Sequence, residues 1–249
     1  MPGILYGLYA WTLFVLLATA SLPLLLLTPG LLRRRALVRT VGRWALTLTA
    51  LKVSVHGLEH IPGPCIVVAN HASYLDGVIM QAVLPPDFSF VIKREMSSVP
   101  LAGFLLRRIG AEFVERQNRA GGARDARRLL RQAASGKALV FFPEGTISPS
   151  RGLMRFHIGA FAAAARAGLP VVPVAIRGTR TCLPLERLLP RAGRIEVQIL
   201  PAVHRPELPP GEREADQAMA LRDAARASML AALGEPDLAV AAASDGQHV

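Results

Sequence analysis

Cysteine is nearly missing from this 249-residue chain: Cys65 and Cys182 stand far apart in ordinary contexts. That excludes a disulfide framework and a cysteine metal centre, and it fits a reduced, cytosol-facing compartment. Aromatic residues make up 6% of the sequence, too few for a surface that stacks bases, so no nucleic-acid partner is expected. Acidic residues are also short, with 18 Asp and Glu against 29 Lys and Arg, giving a net charge of +11. Such a surplus calls for an anionic partner: membrane lipid, nucleic acid or a phosphorylated substrate. Only 19% of residues are charged while 51% are apolar, which rules out wholesale disorder and suits one domain plus appendages. No Gly-x-Ser-x-Gly elbow, Walker loop or dinucleotide fingerprint occurs, which argues against a nucleophilic-serine hydrolase and leaves only Ser73 beside His71 as a candidate nucleophile.

Charge is wholly absent from Ile4 to Leu27. As a helix this run would measure about 36 Å, enough to cross a hydrocarbon core of roughly 30 Å. Tyr6, Tyr9 and Trp11 suit an interfacial belt, and Arg33, Arg34 and Arg35 suit the cytoplasmic side. The expectation is a membrane-anchoring helix that leaves the rest of the chain on the cytoplasmic face of the cytoplasmic membrane. Pro23 is expected to kink or end this helix, with an in-plane hairpin as the alternative geometry. Ala18-Thr19-Ala20 mimics a signal-peptide cleavage site, but no Lys or Arg precedes the run and four leucines follow it. Anchoring is the better reading. From Ala36 to Ala50, Arg39 and Arg43 interrupt an apolar pattern, which reads as an amphipathic helix. It lies either at the interface, its arginines facing anionic headgroups, or packed on the domain.

Beyond Lys52 short apolar or alternating runs take turns with helical patterns. Strands are expected at 52–56, 65–69, 88–92, 111–114, 138–142, 171–176 and 194–200. Helices are expected at 73–84, 101–108, 120–135, 160–167 and 212–233. That alternation predicts an α/β domain over 52–234 with a buried sheet, preceded by a membrane-anchoring region at 1–51 and followed by a disordered tail at 235–249. Arg124, Arg127, Arg128 and Arg131 read as a solvated or lipid-facing helix face.

Three segments carry chemistry, each following a buried strand, where open α/β sheets place their sites. In Asn70-His71-Ala72-Ser73-Tyr74-Leu75-Asp76, the five-residue offset lets the Asp76 carboxylate reach back to the His71 imidazole and fix its tautomer. Ser73 with Asp76 also fits a helix cap that needs no catalysis. Phe142-Pro143-Glu144-Gly145-Thr146 follows the most apolar strand, where burying Glu144 is costly unless it binds something. Lys93-Arg94-Glu95, continuing to Arg116, offers cations for a phosphate. His56-Gly57-Leu58-Glu59-His60 spells an inverted zinc-peptidase motif, but its glycine and the following Pro62-Gly63-Pro64 argue for a turn, and no metal is expected.

At these residues the chain resembles the phospholipid and glycerol acyltransferase family, which includes the 1-acylglycerol-3-phosphate acyltransferases. Asn70, His71 and Asp76 meet its Asn-His-x4-Asp block; Gly110, Phe113 and Arg116 meet its second block, with Lys93, Pro100 and Gly103 in place. Phe142 to Thr146 meet the third block and Val171-Val172-Pro173-Val174 the fourth, in the family's order across Lys52 to Ala202. Two departures stand out. Ile147 occupies the place where many members acting on lysophosphatidate carry arginine, and Arg155 replaces a proline before Phe156 and His157.

The resemblance implies a glycerol-3-phosphate acyltransferase-like domain, a mixed sheet flanked by helices. It implies transfer of a fatty acyl group from acyl-CoA or acyl-carrier protein, used as co-substrate without a bound cofactor, to a lysophospholipid at the bilayer. His71 would be the general base and Asp76 its orienter. Asn70, Lys93, Arg116, Glu144, Gly145, Thr146 and Arg151 would bind the acceptor. Because Glu144 cannot attract phosphate, it is expected to accept a hydrogen bond from a hydroxyl or to position an arginine.

Overall fold

The computed structural model describes residues 3–115, 119–206 and 213–240. Two helices come first, α1 (Gly3–Leu27) and α2 (Leu31–Leu48). The α/β domain then runs β1 (Lys52–His56), β2 (Ile66–Ala69), α3 (Leu75–Val83), β3 (Ser89–Lys93), α4 (Ala102–Arg108), β4 (Glu112–Val114), α5 (Arg119–Ala134) and β5 (Leu139–Phe141). It continues with α6 (Gly159–Ala167), β6 (Val171–Arg177), α7 (Thr179–Cys182), β7 (Arg194–Ile199) and α8 (Glu214–Leu233). The seven strands form one sheet in the order β1-β7-β6-β2-β5-β3-β4. It is parallel from β6 through β4, while β7 pairs antiparallel to β6 and carries β1 with it. This is the mixed sheet the resemblance implied.

The central strands are apolar on both faces because helices cover both faces. In β2, Ile66 and Val68 join the core beneath α5, α6 and α8, while Val67 and Ala69 point to the core beneath α2 and α3. All four are fully buried. The outer β1 alternates exposed and half-buried positions, as an edge strand should. Gly42 of α2 lies against Ala82 of α3; a Cβ there would come 3.4 Å from the Ala82 Cβ, so the missing side chain sets this close helix crossing.

Three expectations need correction. Pro23 neither ends α1 nor divides it: the helix continues to Leu27 and forgoes only the bond that an amide at 23 would have made one turn back. Arg35 does not face solvent or headgroups. It is buried and donates to the carbonyls of Ile109 (2.8 Å), Asp87 (3.1 Å) and Gly110 (3.2 Å) and to the Ser89 hydroxyl, because the chain turns after α3 and α4 leave those acceptors unpaired. Third, residues 235–240 are not a free tail. Asp237 takes a bidentate bond from Arg226 (2.5 and 2.7 Å) and pairs with Leu153 in a parallel bridge, while Gly152 donates to Glu235 (3.1 Å). The rest of that tail lies outside the described residues.

Helix α1 rests on the domain at both ends. Near its start, Tyr6 donates to the Thr49 carbonyl (2.8 Å) and Trp11 to that of Leu188 (2.5 Å); at its end, Arg108 donates to Leu26 (2.6 Å). Its outer side stays apolar and bare, with Leu27 81%, Ile4 67% and Leu16 59% exposed.

Candidate active site

The turn after β2 folds around a single carboxylate oxygen. Asp76 Oδ2 accepts from the amides of Ala72 (2.7 Å) and Ser73 (2.8 Å) and lies 3.1 Å from His71 Nδ1. The cap and the imidazole partner are therefore the same atom, and the two readings of Asp76 in the sequence do not compete. Asp76 is fully buried, and the His71 side chain is 22% exposed. Ser73 donates its hydroxyl to the Leu183 carbonyl (2.8 Å), so it braces the turn rather than facing an acyl group. Nδ1 is engaged, and among the described residues nothing bonds to Nε2, the nitrogen left for a substrate.

Glu144, on the turn after β5, grips the same loop from its other side. Its Oε1 accepts the His71 amide (2.6 Å) and its Oε2 that of Met154 (3.0 Å). Burial pushes its carboxyl above the ordinary carboxylate range, against the pull of those two amides and His71, with the nearby Asp76 charge adding to the rise. Glu144 thus binds backbone, where a hydroxyl or an arginine was expected. The Phe142 ring, two residues earlier, stacks on the His71 ring at 4.2 Å between centroids. Phe142 was legible as part of a motif, but nothing in the sequence assigned it this contact.

A cavity of about 820 Å³ opens at His71. Gly145, Thr146 and Lys93 line it near His71, while α1 and α2 supply apolar wall through Phe14, Leu17, Val38 and Val41. Lys93 is its one fully charged lining residue among those described, half exposed and 3.9 Å from Glu95.

Two expected ligands go elsewhere. Asn70 clips β2 to β6, donating to the Ile176 carbonyl (2.9 Å) and accepting its amide (2.7 Å), which uses both ends of its side chain. Arg151 is 76% exposed and turned to Glu235 (3.5 Å), because residues 235–240 dock beside it. Arg116 lies outside the described residues. Around the expected cationic stretch, Arg94 pairs with Asp125 (2.6 Å), which also accepts the Glu115 amide (2.8 Å). Arg128 joins this network through Asp125 (3.0 Å) and Glu112 (3.4 Å), while Arg124, Arg127 and Arg131 stay exposed on α5. At the zinc-peptidase look-alike, Leu58 to His60 form one 3₁₀ turn and His60 Nδ1 lies 2.8 Å from the Ile199 carbonyl.

Comparison with known proteins returns acyltransferases. A 1-acyl-sn-glycerol-3-phosphate acyltransferase of Chlamydomonas reinhardtii is 32% identical over 237 residues, covering 90% of this chain and 68% of that protein. A lyso-ornithine lipid O-acyltransferase of Rhizobium meliloti is 35% identical over 143 residues, covering 57% of this chain and 48% of that protein. The match spans only 39% of the length of a chloroplastic relative from Brassica napus. In fold, the crystal structure of the 1-acyl-sn-glycerophosphate acyltransferase from Thermotoga maritima superimposes with a TM-score of 0.70 at 23% identity, over 90% of this chain and 95% of that one. Residues 52–177, which hold His71, Asp76 and Glu144, match the Acyltransferase family, and the chain belongs to that family.

Proposed function

We propose that the protein is a membrane-associated O-acyltransferase. It moves a fatty acyl group from a CoA or acyl-carrier-protein thioester to the free hydroxyl of 1-acylglycerol-3-phosphate, giving phosphatidate and a free thiol. The observation that carries this reading is the His71–Asp76 pair, with His71 lining a largely apolar cavity. His71 Nε2 takes the hydroxyl proton as the oxygen attacks the thioester carbonyl. The tetrahedral adduct collapses with loss of the C–S bond, and the imidazolium returns its proton to the departing thiolate. Asp76 holds the tautomer with the proton on Nδ1 and stabilises the imidazolium in between. Glu144 and Phe142 act on geometry: one fixes the His71 backbone, the other its ring plane. The substrate hydroxyl is itself the nucleophile, so no acyl-enzyme forms.

The bilayer enters through α1. A helix that crosses a membrane must leave its domain at one end, yet α1 is held to the domain at Trp11 and again at Leu26. We place it in the plane of the cytoplasmic leaflet, bare side in the acyl region, with the α/β domain on the cytoplasmic side. Both substrates would then reach the cavity from the lipid.

A second reading keeps the reaction and changes the acceptor to a lysolipid lacking a phosphate monoester. Ile147 at the cavity and Arg151 turned to Glu235 favour it, and the Rhizobium relative's name points to one such class. The test is thiol release from acyl-CoA and acyl-carrier protein against lysophosphatidate, lysophosphatidylethanolamine and lyso-ornithine lipid. Fastest turnover of lysophosphatidate supports the first reading. Preference for either other lysolipid replaces it, and no thiol release with any acceptor refutes both.

A further inference from the structure

Residues 183–193, between α7 and β7, are held by several contacts yet expose what a surface loop usually hides. Leu188 at their centre is 85% exposed, and Arg187 and Arg191 on either side are exposed as well. The loop is not loose: its Leu188 carbonyl accepts Trp11, and its Leu189 lies so near α1 that a Cβ on Gly7 would come within 2.7 Å of the Leu189 Cβ. The Leu183 carbonyl accepts the Ser73 hydroxyl (2.8 Å), and the Arg191 amide returns to Cys182 (2.7 Å). Leu185 lines the cavity. Leu188 is thus held out in solvent by a well-tethered loop rather than exposed by a loose one.

Charge sharpens the point. Arg194, the first residue of β7, sits in register beside Lys52 of β1, and both are exposed. Neighbouring like charges destabilise a sheet edge unless an anion lies over them. Among the described residues, Arg187, Arg191, Arg194 and Lys52 have no carboxylate within ion-pair distance, although Glu186 is in the same loop. The N-terminal part of α1, which the loop meets at Gly7 and Trp11, carries further bare apolar residues, with Ile4, Leu5 and Leu8 each more than half exposed.

We propose that residues 183–193 are a second lipid-contact element, resting on the proposed in-plane placement of α1. Leu188 enters the acyl region beside α1, while Arg187, Arg191, Arg194 and Lys52 meet the phosphates of an anionic leaflet. The same loop borders the cavity at Leu185 and braces the His71 turn through Leu183, so the bilayer surface is set against the site from both sides.

Labelling provides the test. Cys65 and Cys182 are buried, so Leu188→Cys in the full chain presents one accessible thiol for an environment-sensitive fluorophore. With vesicles of phosphatidylglycerol and phosphatidylcholine, emission from position 188 should shift blue and be quenched by nitroxides carried on the acyl chains. The same label at Ser135→Cys, beyond α5 on the opposite face, should respond to neither. Arg187→Gln and Arg191→Gln should each weaken vesicle binding about five-fold at low salt, with little effect in phosphatidylcholine alone. If the unaltered chain sediments with vesicles while the label at 188 stays in water, the loop proposal is overturned and the membrane reading stands. If the unaltered chain does not sediment at all, both fall.

Discussion

Around His71, which lines the cavity, Asp76 and Glu144 accept four backbone amides between them and hold one imidazole. Along the wall contributed by α1 and α2 the lining is mostly apolar and includes Phe14, Leu17, Val38 and Val41, side chains that make no directed bonds. The polar end tolerates few residue types, because an amide needs an acceptor at one distance and one angle. The apolar wall needs only volume and hydrophobicity, and many sequences meet that. Substitution should therefore act sharply at the first region and gradually at the second, unless it touches the few polar groups that dock the wall.

The largest effect tests the polar end itself. His71→Ala should lower turnover by roughly 10²–10⁴, the usual contribution of a general base, with the melting temperature little changed, since Asp76 keeps both its amides. Thiol-release kinetics beside a thermal melt separate the two readouts. Near-normal turnover would remove His71 from the chemistry.

Arg35 challenges the comparison from the other side, because it is a polar device inside the apolar wall. Arg35→Met should leave the carbonyls of Ile109, Asp87 and Gly110 without their donor, at a cost of about 3 kcal/mol overall. The loss should show as a lower melting temperature. It should also raise the KM for long-chain donors more than for short ones, because α2 lines the cavity. If stability falls and chain-length dependence does not move, the cavity wall is not what Arg35 supports.

This contrast also explains what could be read from the chain. His71 and Asp76 were legible because a turn fixes them five residues apart, so local chain geometry brings them together. The β-α alternation was legible because the central strands are apolar on both faces. Glu144 was legible as a residue but not as a contact: its partner amide is 73 residues away, at His71, and depends on β2 and β5 lying side by side. The Asn70 contact was hidden for the same reason, since Ile176 lies on the other neighbouring strand. Arg35 looked like one more basic residue flanking an apolar helix. Only the carbonyl ends of two distant helices reveal its purpose.

Glu144 permits a finer test, through pH. Burial raises its carboxyl pKa, so the folded chain holds that proton more tightly than the unfolded one. This contribution to stability is fully present below the unfolded value of 4.5 and is lost as pH rises through the higher folded value. Asp237 runs the other way: its bond to Arg226 lowers it to about 2, giving stability above 3.8 that fades as pH falls through the folded value. Glu144→Gln should flatten the first slope and leave the second. A glutamine retains one acceptor, so one charged hydrogen bond to an amide is lost, worth about 2 kcal/mol. Turnover should drop because His71 is less firmly placed. Melting temperature followed from pH 2 to 7 in both proteins is the check, and an unchanged slope above pH 4.5 would mean that Glu144 does not titrate as its burial requires.

The smallest expected effect lies where the two regions meet. Ile147 lines the cavity beside Thr146, so it belongs by position to the polar end and by chemistry to the apolar wall. Lys93 is half exposed and shares its charge with Glu95, and Arg151 is drawn off by Glu235, which leaves this part of the cavity weakly cationic among the described residues. Ile147→Arg would add a guanidinium able to hold two phosphate oxygens at once. If the natural acceptor is lysophosphatidate, its headgroup already lies within reach, and a charged hydrogen bond of about 1.5 kcal/mol should raise its kcat/KM roughly ten-fold relative to lyso-ornithine lipid. If the cavity is shaped for a headgroup without a phosphate monoester, the new cation lies in a partly desolvated place with no anion to meet. Stability should then fall and every acceptor should suffer. Measuring both acceptors on both proteins, with a melt alongside, separates a gain in phosphate recognition from an unpaired buried charge. The second outcome would assign the acceptor to the other lysolipid class.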